Sequence, residues 1–287
     1  MKLQKIMLDG GFTCPNRDGS KGRGGCTFCL KDAFCPSYCK GGISDQVSKG
    51  KRFFSGKYPD MRFLAYFQAY SSTYAPVSLL EERYREALED EDVVGLVIGT
   101  RPDCLPDDVL DLLCRLKEEG VIVKVELGVE SLYDRTLELV NRCHKASESI
   151  EGIRRLHQRG IPVSAHMILG LPYESREDIL REAQWLSCLP LESVKLHQLQ
   201  ILKETPMAQL YRQHPEAFMS MTLEEYVSLV AEFILEIGDG IIVERSASGS
   251  PLDMVIHPRW GVKPSVVKAM VERRLQQMKA LQKQQIL

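Results

Sequence analysis

Seven strand-like runs alternate with helix-like runs along this chain, and that alternation decides what it can fold into. The strand-like runs are Lys5–Gly11, Phe63–Tyr70, Val93–Thr100, Val121–Glu130, Val163–Leu171, Val194–Leu202 and Ile241–Arg245. Helical patterns fall at 78–90, 106–119, 133–142, 147–159, 175–188, 206–213, 222–237 and 265–285. Strands separated by helices at this spacing imply right-handed crossovers and a parallel sheet. A doubly wound sheet and a (β/α) barrel both fit. Six or seven units fall short of the eight of a closed barrel, so the expected α/β fold is an incomplete barrel with a C-terminal helical extension. Helix ends carry matching chemistry. Ser78 with Glu81, and Thr222 with Glu225, read as capping boxes. Ser175 opens a helix with Glu177 and Asp178 in its first turn, and Gly120 and Gly160 stand where helices should end. The alternation breaks at Ser246-Ala-Ser-Gly-Ser-Pro251, which makes residues 1–246 one domain and 247–287 an extension with a basic helix.

At 287 residues and 44% hydrophobic, the chain can bury a core of barrel size. A formal net charge of −2 gives no global field that would draw it onto nucleic acid or an anionic membrane. No apolar run reaches the roughly eighteen residues of a bilayer span. The start, Met-Lys-Leu-Gln-Lys-Ile-Met-Leu-Asp, lacks the apolar core of a signal peptide. Nine cysteines, an odd number in a chain this long, do not make a disulfide framework and point to a reducing cytoplasm. Cys114, in an amphipathic pattern, and Cys188, after Trp185 and Leu186, read as core thiols. Five of the nine lie within residues 14–39, a density that calls for a chemical reason.

Three of those five, Cys14, Cys26 and Cys29, sit in one loop directly after the first strand. Three thiolates can hold three corners of a cubane iron–sulfur cluster and leave the fourth iron open to a substrate. In parallel α/β folds the C-terminal ends of strands carry the active site, so chemistry and position agree. Gly22, Gly24 and Gly25 allow tight turns around an inorganic core. Zinc is a second reading, with Cys35 or Cys39 as its fourth ligand, but the Cys-x2-Cys pair is matched by no second pair. A loop with no metal is a third. Cys35 and Cys39 themselves read as spectators.

At these residues the chain resembles the radical S-adenosylmethionine superfamily, in particular its branch related to the Elp3 subunit, whose first two cysteines are widely spaced. Here the spacing is Cys-x11-Cys-x2-Cys. The resemblance runs to about residue 246 through Gly10-Gly-Phe-Thr-Cys-Pro-Asn-Arg-Asp-Gly19, Tyr66-Phe-Gln-Ala-Tyr-Ser-Ser-Thr73 and Gly99-Thr-Arg-Pro-Asp103. It continues through Glu126-Leu-Gly-Val-Glu-Ser131, Ile168-Leu-Gly-Leu-Pro172 and Lys195-Leu-His197. It implies a partial (β/α)6 barrel of TIM type, with a [4Fe-4S] cluster on Cys14, Cys26 and Cys29. The open iron would chelate S-adenosyl-L-methionine. An electron from an external donor would then release a 5′-deoxyadenosyl radical that abstracts hydrogen from an unreactive carbon.

Several further residues carry expectations. Side chains alternate along a strand, so Glu126, Gly128 and Glu130 share one face. Two carboxylates pointing into a barrel need partners or a ligand. The ribose of the cofactor is one answer, and an ion pair with Arg101 or Lys195 is the other. Gln68 and Ser71 are candidates for the methionine moiety, Phe28 for packing beside adenine, and Gly170 for cofactor binding. Lys195 and His197 share a face of the sixth strand, with His166 on the fifth. A strand histidine is ordinarily a satisfied core residue. An inward lysine needs a partner, which makes Lys195 a candidate for the cofactor carboxylate or an anionic substrate group. Tyr66, Tyr70 and Tyr74 read as packing. Cys143 stands where relatives usually have glycine. It joins Lys195 and His197 as a catalytic candidate, although an inert substitution is the plainer reading.

The nearest subfamily includes a bacterial enzyme of tRNA wobble-uridine modification. That implies a tRNA substrate whose 5-carboxymethylaminomethyl side chain becomes 5-aminomethyl, with a methyltransferase downstream. Arg259, Lys263, Lys268, Arg273, Arg274, Lys279 and Lys283 against the single acid Glu272 give a basic C-terminal helix suited to phosphates. Its plainer reading is a solvated helix. Lys49, Lys51, Arg52 and Lys57 form a second basic stretch. Two alternatives stand beside this one: a radical enzyme acting on a small metabolite or peptide, and a non-catalytic zinc protein that binds nucleic acid.

Overall fold

A computed structural model of the chain describes residues 2–30, 36–54 and 61–285, with side chains through residue 281. Cys35, Lys57 and the side chain of Lys283 lie outside the described residues. The first half of the chain runs β1 (Lys2–Leu8), α1 (Ile43–Phe54), β2 (Met61–Phe67), α2 (Val77–Leu88), β3 (Val93–Thr100), α3 (Asp107–Glu118), β4 (Ile122–Glu130), α4 (Asp134–Leu139) and α5 (Ala146–Gln158). The second runs β5 (Val163–Leu169), α6 (Arg176–Ser187), β6 (Ser193–Gln198), β7 (Ile201–Leu202), α7 (Pro206–Gln213), α8 (Leu223–Ile237), β8 (Ile242–Arg245), β9 (Val255–His257) and α9 (Pro264–Gln285).

These elements form two compact units. The first comprises Met1–Gly25, Leu30–Gly128 and Ser147–Val163. In it β1, β2, β3 and β4 pair in parallel in sequence order. Its central strand β3, Val-Val-Gly-Leu-Val-Ile-Gly-Thr, is buried at every position but one. Such an unbroken apolar run is what a strand covered on both faces requires. The second unit comprises Cys26–Cys29, Val129–Ala146 and Ser164–Leu287. In it β5, β6 and β8 pair in parallel, and β7 pairs with β9 antiparallel. Its core gathers Val140, Ile168, Leu171, Leu199, Met207 and Phe218. Residues 247–287 fall within this unit.

Helix α1 has no counterpart in the periodicity of the sequence. Its buried positions are Ile43, Gln46, Val47 and Gly50, only two of them large and apolar. Gly50 is small by necessity, because a Cβ there would stand 2.2 Å from Ile6 Cγ2. Gln46, 2% exposed, accepts from the Asp9 amide at 2.8 Å and donates to the Asp9 and Gly41 carbonyls at 3.0 Å. A polar side chain thus fixes the exit of β1, where the cysteine loop begins.

Helix ends follow the expected chemistry with one exception. Thr222 and Ser175 each close a full capping box, with Glu225 and Asp178. Gly120 and Gly160 have φ of +90° and +65° after their helices. Ser78 caps nothing: α2 begins at Val77 after Pro76, which makes no side-chain cap. Proline's fixed φ starts the helix two residues earlier than the Ser-x-x-Glu pattern suggested. Cys188 is a second correction. It is exposed at the C-cap of α6, because Trp185, one turn earlier, is itself 42% exposed and that side of the helix faces solvent. Cys114 is half-buried.

Candidate active site

The eleven residues between Cys14 and Cys26 fold on themselves. Cys14 O accepts from the Arg17 and Asp18 amides, Asp18 and Arg23 form an antiparallel bridge, and the Gly25 amide returns to Asn16 O at 2.8 Å. The spacer is therefore a hairpin whose two ends meet. Gly25 has φ +81°, and a Cβ there would stand 2.9 Å from Arg17 Nε, so only glycine closes this hairpin. The Arg17 guanidinium lies 5.1 Å from the centroid of the Tyr70 ring.

Other first-unit residues gather at the same strand ends. The Ser71 amide donates to Thr13 O at 3.3 Å, and the Gln68 amide to Leu8 O at 3.4 Å. The turn after β2 is thus sewn to the residue that precedes Cys14. Gln68 Oε1 is a buried atom with no hydrogen-bond partner among the described residues. Ser71 Oγ, also buried, makes no hydrogen bond of good geometry and lies beside the Cys104 thiol. Burial pushes that thiol up to about 12 and leaves it inert. Glu126, 1% exposed, accepts from Lys5 Nζ at 2.6 Å and from Tyr66 Oη at 2.5 Å. Lys5 and Tyr66 are thus among the partners of Glu126. Arg101 forms a fork with Asp103, Nε–Oδ1 2.8 Å and Nη2–Oδ2 3.0 Å. Asp103 also takes Lys21 Nζ at 2.9 Å, which ties the hairpin to the turn after β3. Tyr74 shares a 2.8 Å hydrogen bond with Ser20 of the same hairpin.

In the second unit, Cys26–Cys29 forms a strap. The Thr27 amide donates to Val140 O and the Met207 amide to Thr27 O, both at 3.0 Å, and the Cys29 amide closes on Cys26 O. Phe28 packs against the apolar core of this unit. Arg142, 7% exposed, donates from Nη1 to Cys26 Sγ at 3.4 Å and pairs through Nη2 with Glu130 Oε1 at 3.3 Å. One guanidinium thus joins an expected cluster ligand to an expected cofactor residue. Little in the sequence marks Arg142 beyond its place between Asn141 and Cys143. Both of those residues have positive φ, +53° and +56°. Cys143 thus occupies the left-handed region, which disfavours a Cβ and which glycine adopts freely. Cys143 Sγ turns back to Asn141 Oδ1 at 3.4 Å.

Glu130 is itself at φ +67°, and Gly170 at φ +90°. His166 and His197 lie with ring centroids 5.2 Å apart on the paired strands β5 and β6. Lys195, 3% exposed, has Glu244 Oε2 at 3.9 Å, while Glu244 Oε1 accepts from Ser193. Cys39 is a core thiol that donates to Met7 O at 3.2 Å. Among the described residues no three His, Cys, Asp or Glu side chains are close enough to ligate one metal ion. Thiolates on separate irons of a cubane stand further apart than ligands of a single ion. In the first unit the orphaned Gln68 Oε1 suits a polar ligand, and in the second the cationic donor on Cys26 Sγ suits a thiolate of an iron–sulfur cluster. No helix among the described residues is long and apolar enough to cross a membrane.

Comparison with known proteins places this geometry. The family model described as the Radical SAM superfamily matches residues 21–186, and that of the Radical_SAM C-terminal domain matches 191–277. Uncharacterized protein YtqA of Bacillus subtilis is 38% identical over 278 residues, which cover 96% of this chain and 85% of that protein. The tRNA uridine(34) acetyltransferase of Methanocaldococcus infernus is 34% identical over 84 residues, 29% of this chain and 15% of that protein. The solved structure of archaeal Methanocaldococcus infernus Elp3 with an N-terminal deletion shares the fold at a TM-score of 0.69 and 16% identity. That match covers 95% of this chain, which spans 63% of that one. The chain is an α/β enzyme of partial-barrel fold that belongs to the radical SAM superfamily, in its Elp3-related branch, and its family works with a [4Fe-4S] cluster and S-adenosylmethionine.

Proposed function

We propose that Cys14, Cys26 and Cys29 hold the [4Fe-4S] cluster and that the enzyme acts on a tRNA wobble uridine, taking its 5-carboxymethylaminomethyl side chain to 5-aminomethyl. The observation that carries the cluster assignment is the closed hairpin: it cancels the long spacer, so Cys14 and Cys26 flank a chain that returns to its starting point. When bound, the cluster and S-adenosylmethionine supply a carbon radical able to remove a hydrogen from an unreactive carbon. The protein's part is to hold and orient. Gln68 Oε1 and Ser71 Oγ are acceptors suited to the amine of the methionine moiety, and Glu130, fixed by Arg142, suits ribose hydroxyls. Phe28 offers an apolar face to adenine, and Gly170 lets backbone approach. Glu126, with donors on both oxygens, serves here chiefly to fix Lys5 and Tyr66. Lys195 and His197 are the side chains best suited to an anionic substrate group. Cys143, turned back onto Asn141, stays a lesser candidate.

The tRNA substrate is supported by the partial likeness to the archaeal tRNA uridine(34) acetyltransferase and by the cations of α9. Lys268 and Lys279 are partly neutralised by Glu272 and Asp239, whereas Arg273 and Arg274 line a groove with α8 of about 510 Å³. Binding through such cations weakens as salt rises. The electron comes from an external donor, the product passes to a methyltransferase, and the compartment is the reducing cytoplasm. The test is anaerobic reconstitution with tRNA from cells that lack this gene, read by nucleoside mass spectrometry. We expect 5-aminomethyluridine to appear at the expense of the 5-carboxymethylaminomethyl form. Cofactor cleavage with unchanged uridine would redirect the reading to a metabolite or peptide.

A further inference from the structure

Ser131, Glu174 and Glu182 form a buried cluster in the second unit that the function above does not use. Ser131 and Glu182 are 0% exposed and Glu174 is 3% exposed. Ser131 Oγ stands 2.6 Å from Glu174 Oε1 and 2.7 Å from Glu182 Oε1. The same Oγ accepts from the Tyr133 amide at 3.1 Å, and the Leu132 amide donates to Glu182 Oε1 at 2.6 Å. The Oε2 atoms of both glutamates are buried with no partner among the described residues. A serine hydroxyl carries one proton and can donate it to one carboxylate only. The second short contact therefore needs a proton on one of the two acids. Two ionised carboxylates on one buried hydroxyl would leave like charges desolvated side by side.

The cluster sits at two strained places. Ser131 follows Glu130 at φ +67°, and Glu174 follows Tyr173 at φ +62°. Non-glycine residues stay in this region only where their surroundings hold them. Glu182 lies in the middle of α6, so the three side chains tie the turn after β4 and the turn after β5 to one helix. We propose that Glu174 and Glu182 are positioning residues whose shared proton, carried by one of the two acids and donated to Ser131 Oγ, latches both turns to α6, and that the latch opens as rising pH removes that proton. The latch itself is independent of the function proposed above. Its consequence for cofactor affinity rests on the roles proposed there for Glu130 and Gly170.

The charges around the cluster are few. Asp178 on α6 and Arg135 on α4 pair at 2.8 Å, and Tyr133 Oη donates to Asp178 O at 3.4 Å. Burial pushes the Glu174 carboxyl up to about 7, against the pull of Ser131 and Thr136. Burial, and then the charge of Glu174, pushes Glu182 up as well. A carboxyl raised in the folded state favours folding fully below its unfolded value of about 4.3, and that contribution declines as pH rises toward the folded value.

Native-state hydrogen exchange tests the latch on the anaerobic holoenzyme, because the amides of Leu132 and Tyr133 both end on the cluster. After correction for intrinsic rates, their protection in the wild type should fall by up to roughly tenfold per pH unit between the value of an exposed glutamate, about 4.3, and the titration of the pair, and level off above it. In Glu174→Gln the amide donates permanently to Ser131 while Ser131 donates to Glu182, so protection should stay flat over the same range. Carbon-13 carboxyl spectra of the wild type need no variant and should show a buried glutamate still protonated near neutral pH. Flat protection in the wild type, an equal fall in Glu174→Gln, or fully ionised glutamates at neutral pH would each overturn the proposal. S-adenosylmethionine affinity measured alongside should fall with the latch. An open latch with unchanged affinity would sink the roles of Glu130 and Gly170 and leave the latch standing.

Discussion

Asp103→Ala is expected to destabilise the enzyme by about 3–5 kcal/mol, the range for breaking a buried ion pair by removing one partner. Arg101 and Asp103 are 2% and 1% exposed in their side chains, so the variant takes both hydrogen bonds of the fork from a buried guanidinium. Burial works to raise the Asp103 carboxyl, but Arg101 and then Lys21 hold it down to about 2. The sign of the pH effect follows. A carboxyl lowered in the folded state contributes its stability above its unfolded value of about 3.9, and loses it as pH falls toward about 2. Wild type should therefore lose stability across that acid window more steeply than Asp103→Ala, in urea unfolding followed by circular dichroism. Because Lys21 anchors the cysteine hairpin to the same carboxylate, the variant should also lose iron faster on dilution. A cost under about 1 kcal/mol, the level of an exposed pair, would mean that the network is solvated.

Arg142→Met should make the reduction potential of the reconstituted cluster more negative. Hydrogen bonds to the cluster sulfurs are among the factors that set its potential, and a cationic donor favours the reduced state, which carries more negative charge. Arg142 Nη1 is such a donor to Cys26 Sγ at 3.4 Å. Hydrogen bonds to charged groups are worth roughly 1.5–3 kcal/mol. If about 1 kcal/mol of that distinguishes the two oxidation states, the shift is roughly 40 mV for one electron. The variant also leaves Glu130, 14% exposed in its side chain, without its ion-pair partner. Cofactor affinity should fall with it, whereas Arg142→Lys should restore part of both. An unchanged potential in spectroelectrochemistry would remove Cys26, or its hydrogen bond, from the cluster.

Much of this was legible in the sequence because it rests on local rules. The strand and helix alternation survives folding because inner strands such as β3 and β5 are buried as near-continuous runs and helices such as α3 carry a buried apolar stripe. The capping boxes at Ser175 and Thr222 formed because their partners sit three residues away. What escaped was set by tertiary contacts. Helix α1 hides its inner face behind Gln46 and Gly50, chosen for a hydrogen bond and for close approach to Ile6. Cys188 looked like a core thiol beside Trp185, but that face of α6 is exposed. Two partners of Glu126, Lys5 and Tyr66, are 121 and 60 residues away, a pairing no periodicity can announce. Arg142 and the Ser131 cluster were invisible for the same reason. The cysteine spacing was legible as chemistry, while the hairpin that makes an eleven-residue spacer workable emerged only with Gly25 folded back on Asn16.

The most direct measurement is 5′-deoxyadenosine formed by the oxygen-free, reconstituted enzyme under strong reductant, compared with a variant carrying alanine at Cys14, Cys26 and Cys29. The account predicts cofactor cleavage by the wild type and none by the variant, which should also bind no iron or acid-labile sulfide. Cleavage by the triple variant, or a wild type that takes up zinc without sulfide, would contradict it.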